Sequence, residues 1–180
     1  YSKDLKIRNS SISEIFIKYP IALVGLMGVG KTTAGKQLAK SLNRDFYDSD
    51  YEIEKASGRT ITGYFKDYGE KEFRKGERRV IERLLGSEAI VLATGGGAYV
   101  QKETHKILNR KALTIWLKGD LSTIMDRVSR NYDKRPLLQV NDPEAKIKEL
   151  IKTRHPIYSK AHITVTIDNE NSTMLLSENT

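Results

Sequence analysis

The chain has 180 residues, 38% hydrophobic and 30% charged, a balance that excludes a disordered chain and suits one domain with a sizeable core. It contains no cysteine, which excludes disulfides, thiolate metal sites and cysteine nucleophiles together and fits a reducing compartment. The formal net charge of +8 is open to three readings, a nucleic-acid partner, an anionic small substrate and, for part of it, a solvated face. The basic residues are spread along the chain and no nucleic-acid motif accompanies them, so the expectation is a small molecule and no nucleic acid.

The first twenty residues lack an apolar core of the kind a secretory signal carries, and 1–19 reads as an N-terminal arm. The longest apolar stretch, Ile21 to Val29, is interrupted by Gly25 and Gly28 and is far shorter than the roughly 18 residues a membrane helix needs. A cytoplasmic location with no membrane partner is expected, and a monomer.

Short runs rich in Ile, Val and Leu alternate with stretches of helical period, the pattern of a parallel sheet with helices on both faces. Strands are expected at Ile21 to Val24, Arg44 to Tyr47, Ile90 to Ala93, Leu113 to Leu117 and Ile163 to Ile167. Helices are expected at Lys31 to Leu42, Glu52 to Ser57, Gly69 to Leu85, Gln101 to Leu108, Leu121 to Arg130 and Pro143 to His155. The fold class is therefore α/β, three layers with a five-stranded parallel sheet in the middle. The polar segment Asn131 to Asn141, with Pro136 at its centre, interrupts the alternation and reads as a mobile lid, and the residues from about 168 to 180 read as a frayed tail.

After the first strand, Gly25-Leu26-Met27-Gly28-Val29-Gly30-Lys31-Thr32 matches G-x-x-x-x-G-K-[ST], the phosphate-binding loop, in the strand-to-helix context its mechanism requires. Glycines let backbone N–H groups turn inward around phosphate oxygens, and the helix beginning at Lys31 aims its positive dipole end at the anion. Gly28, Val29, Gly30, Lys31, Thr32 and Thr33 are the candidate nucleotide-binding residues. Lys31 would reach the β- and γ-phosphates, and the Thr32 hydroxyl would serve Mg²⁺.

The strand Ile90 to Ala93 runs into Thr94 and three glycines rather than an acid, so a carboxylate supporting Mg²⁺ must come from elsewhere. Asp48-Ser49-Asp50 follows the second strand, where ligands of open parallel sheets bind. On an extended segment both carboxylates would face one side, while an acidic turn or helix cap explains the pair equally well.

In order along the chain come the phosphate loop, DSD at Asp48 to Asp50, EFRKGE at Glu72 to Glu77, GGGA at Gly95 to Ala98, RPLL at Arg135 to Leu138 and RHPIY at Arg154 to Tyr158. This series, from Ile21 to about Ile167, resembles that of the shikimate kinases. The resemblance implies a P-loop kinase that uses ATP and Mg²⁺ to phosphorylate the 3-hydroxyl of shikimate, in the route to aromatic amino acids. It implies that Asp50 contacts the reacting hydroxyl, that Asp48 supports Mg²⁺ through water, and that Arg74 and Arg154 hold the substrate carboxylate. Gly95, Gly96 and Gly97 would lie against the substrate ring, Arg135 would close over the nucleotide phosphates, and either Arg127 or Arg130 would stack on adenine. In some relatives a Ser stands where Ala93 aligns, so a further hydroxyl towards Mg²⁺ comes here from Thr94 or is missing. Trp116 and Tyr158 read as packing residues, and His105, His155 and His162 lack metal-ligand spacing.

Overall fold

The computed structural model describes residues 19–86, 89–130 and 141–167, together with the backbone of 175–177. The first strand, β1 (Ile21–Val24), is apolar throughout and no more than 2% exposed at any position. That is the signature of a strand covered on both faces. It lies in the centre of the sheet, paired in parallel with β3 (Val91–Ala93) on one side and β4 (Leu113–Lys118) on the other. Outside these lie β2 (Phe46–Asp48) and β5 (Ile163–Thr166), also parallel.

The five expected strands are all present, with ends shifted by a residue or two. A sixth, β6 (Leu175–Ser177), pairs antiparallel with β5, giving the order β2-β3-β1-β4-β5-β6. The expectation of a frayed tail is corrected at these three residues, which form a strand too short to carry a readable period.

Helix α1 (Lys31–Leu42) follows the phosphate loop and ends where Asn43 takes a left-handed conformation (φ 55°). This sharp stop delays β2 to Phe46 instead of Arg44. Helix α2 (Ser49–Ser57) starts directly at the end of β2, three residues earlier than expected, because Asp48 caps it. Helix α3 (Ile61–Leu85) is longer than its expected Gly69–Leu85 span. Thr60 caps it by accepting from the Gly63 N–H, and Gly69 (φ 82°, ψ 169°) breaks the helical geometry partway. The first limb carries Gly63, Tyr64, Phe65 and Tyr68, poor helix formers that hide it from a propensity reading.

Helices α4 (Lys102–Lys111), α5 (Leu121–Ser129) and α6 (Pro143–Tyr158) complete the layers. Asp120 and Asp142 cap α5 and α6 through the N–H groups of Thr123 and Ala145. Trp116, Tyr99 and Tyr158 are buried in the core with Leu23, Leu92 and Ile124. Among the described residues no helix is long and apolar enough to cross a membrane.

Candidate active site

Three turns at the carboxyl ends of β1, β2 and β3 meet in one region. The turn after β1 is the phosphate loop. Its glycines Gly25, Gly28 and Gly30 all have positive φ, at 147°, 82° and 85°. At Gly25 crowding adds to the backbone demand, since a Cβ would stand 2.8 Å from the Leu117 carbonyl oxygen. Gly30 begins α1 with no side-chain cap, and the first turn of the helix holds no acid of its own. Thr32 and Thr33 sit exposed in that turn. The Lys31 ammonium lies over the loop and donates to the carbonyls of Gly25 (2.6 Å) and Leu26 (2.9 Å).

Arg127, on α5, donates from Nη1 to the Val29 carbonyl at 3.3 Å and crowds the space a Cβ on Gly30 would need. Arg130, three residues on at the end of α5, is 71% exposed and paired with Asp126. The structure thus brings Arg127 to the phosphate loop and leaves Arg130 outside it. Arg135 and the lid segment around it lie outside the described residues.

The turn after β2 carries the acidic pair. Asp48 accepts from Thr32 Oγ1 at 2.9 Å through Oδ2 and from the Tyr51 N–H at 3.1 Å through Oδ1. One carboxylate therefore caps α2 and also ties its N-terminus to that of α1. The picture of an extended D-x-D is corrected, since Ser49 and Asp50 are already helical. Ser49 is fully buried, and its hydroxyl accepts from the Gly95 N–H at 3.0 Å. Burial pushes the Asp50 carboxyl above the usual range, with neighbouring Asp48 adding to the rise and Lys31 and Arg74 opposing it.

The turn after β3 is the glycine triad. None of the three glycines has a positive φ, so conformational freedom does not explain them. Side-chain crowding does. A Cβ on Gly95 would lie 2.6 Å from Asp50 Oδ1, and one on Gly97 would collide with the Arg74 guanidinium. A Cβ on Gly96 would only touch Arg154 Nη1 and the Met27 N–H, both at 3.7 Å. The glycines leave room for the side chains of Asp50 and Arg74.

Arg74 is held by neighbours on its own helix. Its Nη1 donates to Glu77 Oε1 at 2.8 Å, its Nε lies 3.7 Å from Glu70 Oε1, and its guanidinium carbon is 5.2 Å from the centre of the Phe73 ring. Glu77 is 1% exposed and was given no role by the sequence reading. Burial raises its pKa, with Arg74 holding it down and Asp50 adding to the rise. A signal for it exists: Phe73, Glu77 and Ile81 recur every four residues on the buried stripe of α3, and an acid on an apolar stripe needs a partner.

Arg154, near the end of α6, donates to the Gly96 carbonyl at 3.2 Å, and Tyr158 donates to the same oxygen at 2.5 Å. Tyr158 is buried as expected, but its hydroxyl reaches the triad as well. The Thr94 hydroxyl donates to the Leu23 carbonyl and is buried between strands. Asp50, Arg154 and Arg74 therefore meet three consecutive glycines, one against each.

A family profile described as shikimate kinase matches residues 27–179, most of the chain. The chain belongs to the shikimate kinase family. It is 48% identical over 166 residues to the shikimate kinase of Bartonella henselae, covering 92% of this chain and 78% of that protein. It is 54% identical over 145 residues to that of Nitrobacter winogradskyi, covering 81% and 67%. A solved shikimate kinase from Acinetobacter baumannii, in complex with shikimate, is 42% identical, covers 89% of each chain and superposes with a TM-score of 0.78. As a member of the shikimate kinases the chain is an ATP-dependent kinase, and ATP is its co-substrate.

Proposed function

We propose that the chain transfers the γ-phosphate of ATP to the 3-hydroxyl of shikimate, giving shikimate 3-phosphate and ADP. The observation that carries this reading is the convergence of one carboxylate and two guanidinium groups on the glycine turn, beside the phosphate loop. A carboxylated polyalcohol suits that set: Arg74 and Arg154 supply charge-assisted donors for its acid group, and Asp50 takes its reacting hydroxyl.

The loop residues Gly28 to Thr33 hold the triphosphate, and Lys31 moves from the loop carbonyls to the β- and γ-phosphates. Arg127 covers the loop from α5 and is the candidate for the adenine side. Thr32 and Asp48 offer a hydroxyl and a carboxylate oxygen 2.9 Å apart, an all-oxygen pair of the kind that suits Mg²⁺ with waters and phosphates filling the remaining positions. Thr32 and Asp48 would hold that ion, which would supply charge neutralisation for the phosphate oxygens. Arg135 is assigned to the nucleotide phosphates on the family pattern alone.

In the transfer, the acceptor oxygen bonds to the γ-phosphorus, the bond from that phosphorus to the β,γ-bridging oxygen breaks, and ADP departs. Asp50 orients the hydroxyl and receives its proton, for which its raised pKa suits it. The cytoplasm and a monomeric form complete the reading.

An acceptor panel tests it. ADP release is measured with shikimate, gluconate, a nucleoside monophosphate and RNA in turn, with Lys31→Ala as the blank. Stimulation by shikimate alone is expected, and strong stimulation by any other acceptor would overturn the substrate assignment.

A further inference from the structure

We propose that Tyr158 is a positioning residue for the acceptor: its hydroxyl, with Arg154, locks the peptide between Gly96 and Gly97 in one orientation and so fixes the turn against which Arg154 and Arg74 stand. This inference rests on the shikimate reading above and adds a residue outside its contact set.

The Ala98 N–H bonds to the Gly95 carbonyl at 3.1 Å, which makes Gly95–Ala98 a hydrogen-bonded β-turn with Gly96 and Gly97 at its centre. Types I and II of such a turn differ by rotation of the central peptide, and type II needs positive φ at the third residue. Gly97 lacks positive φ, so the type II arrangement is not the one adopted. With glycine at both central positions no side chain opposes the rotation. The backbone alone therefore leaves the turn free to choose.

What chooses is the pair of bonds on the Gly96 oxygen, 2.5 Å from the Tyr158 hydroxyl and 3.2 Å from Arg154 Nη1. Arg154 is committed to the acceptor in the proposed reaction, which leaves Tyr158 as the constant partner. Tyr158 is fully buried and its ring packs with Tyr99 and Trp116, so its hydroxyl is held in place by the core. Burial pushes its pKa to about 12, and the hydroxyl remains a donor across the working pH range. The peptide is trans, so pinning the carbonyl on one edge directs the Gly97 N–H to the opposite edge.

The test uses the full chain with glycine labelled at its carbonyl carbon and amide nitrogen. Carbonyl-to-amide correlations then arise only from consecutive glycines, and the sequence holds two such peptides, Gly95–Gly96 and Gly96–Gly97. In Tyr158→Phe the Gly96–Gly97 correlation should move or double while the other stays. Shikimate affinity by calorimetry should fall about three- to tenfold, the range for one lost hydrogen bond, with ATP affinity unchanged. An unmoved Gly96–Gly97 correlation, an unchanged shikimate affinity, or equal weakening of both ligands overturns the inference, the last being the mark of a merely structural residue. The unmodified chain gives an independent check: its Gly96 carbonyl carbon should resonate downfield as a strongly hydrogen-bonded group, and an upfield position overturns the inference without any variant. Failure of the unmodified chain to bind shikimate would overturn both this inference and the parent reading, whereas equal binding by both chains removes only the role of Tyr158.

Discussion

The side chains of Thr32 and Asp48 meet at 2.9 Å, joining the first turn of α1 to the end of β2. Asp48 uses its other oxygen to cap α2, so its two oxygens serve different ends. Asp48→Asn separates them, because the amide keeps an acceptor for the Tyr51 N–H while the negative charge is lost. The expected outcome is an unchanged thermal midpoint and a Mg²⁺ requirement for half-maximal rate raised about tenfold or more. A Mg²⁺ titration at saturating ATP measures it, and an unaltered curve would remove Asp48 from the metal site.

Arg74 and Glu77 form a second coupled pair, largely withdrawn from water. Arg74→Ala should raise the shikimate KM by about an order of magnitude while leaving ATP binding nearly intact. It should also destabilise the fold by about 3–5 kcal/mol, since it strands the Glu77 carboxylate in the interior. Adding Glu77→Gln should restore most of that stability and none of the acceptor affinity. Urea unfolding of the two variants beside the unmodified chain, read with their kinetics, tests both halves.

The triad glycines should differ from one another. Gly95→Ala must displace the Asp50 carboxylate and should lower kcat about tenfold or more, whereas Gly97→Ala must displace the Arg74 guanidinium and should raise the shikimate KM similarly. In both, the obstacle is the far end of a side chain, so folding is retained. Gly96→Ala meets only ordinary contacts and should be the mildest of the three. Steady-state kinetics giving equal losses at all three positions would show that the substrate, not the side chains, dictates the glycines.

The pH profile of kcat/KM for the acceptor tests Asp50. The ionised carboxylate is the form that takes a proton, so the rate should rise with pH through the Asp50 pKa. Because burial raises that pKa, the acid limb should have its midpoint above the ordinary aspartate range. The same raised pKa means that Asp50 favours the folded state at low pH and loses that contribution as pH rises through its folded value. Asp50→Asn should abolish the limb along with most of the rate, and an unmoved limb would assign the titration to another group.

Much of this site is legible in the sequence because its chemistry depends on backbone freedom and fixed spacing. The phosphate loop needs glycine where φ is positive, and Gly25, Gly28 and Gly30 all have it. Asp50, Arg154 and Arg74 each stand against one glycine of the triad. What the sequence hides depends on burial and local geometry. Glu77 reads as one more surface acid among the charges of α3 until the core stripe beneath it is seen. Asp48 and Asp50 share a region through a strand-to-helix junction and not through strand alternation. Arg127 and Arg130 differ by less than one turn, and only the packing of α5 sends one to the phosphate loop and the other to solvent. The first limb of α3 escapes notice because its sequence favours other conformations and its cap at Thr60 stands apart from any apolar run.

β1 is made well before the strands it pairs with, which begin only at Val91 and Leu113. A nascent chain that has delivered Lys31 and Thr32 therefore has no sheet on which to mount them, and the entropy of closing these long loops must be met before any nucleotide is gripped. Capture of ATP becomes available only after β4 has emerged. Any truncation ahead of Leu117 should forfeit that capture even though the entire G-x-x-x-x-G-K-T sequence is present.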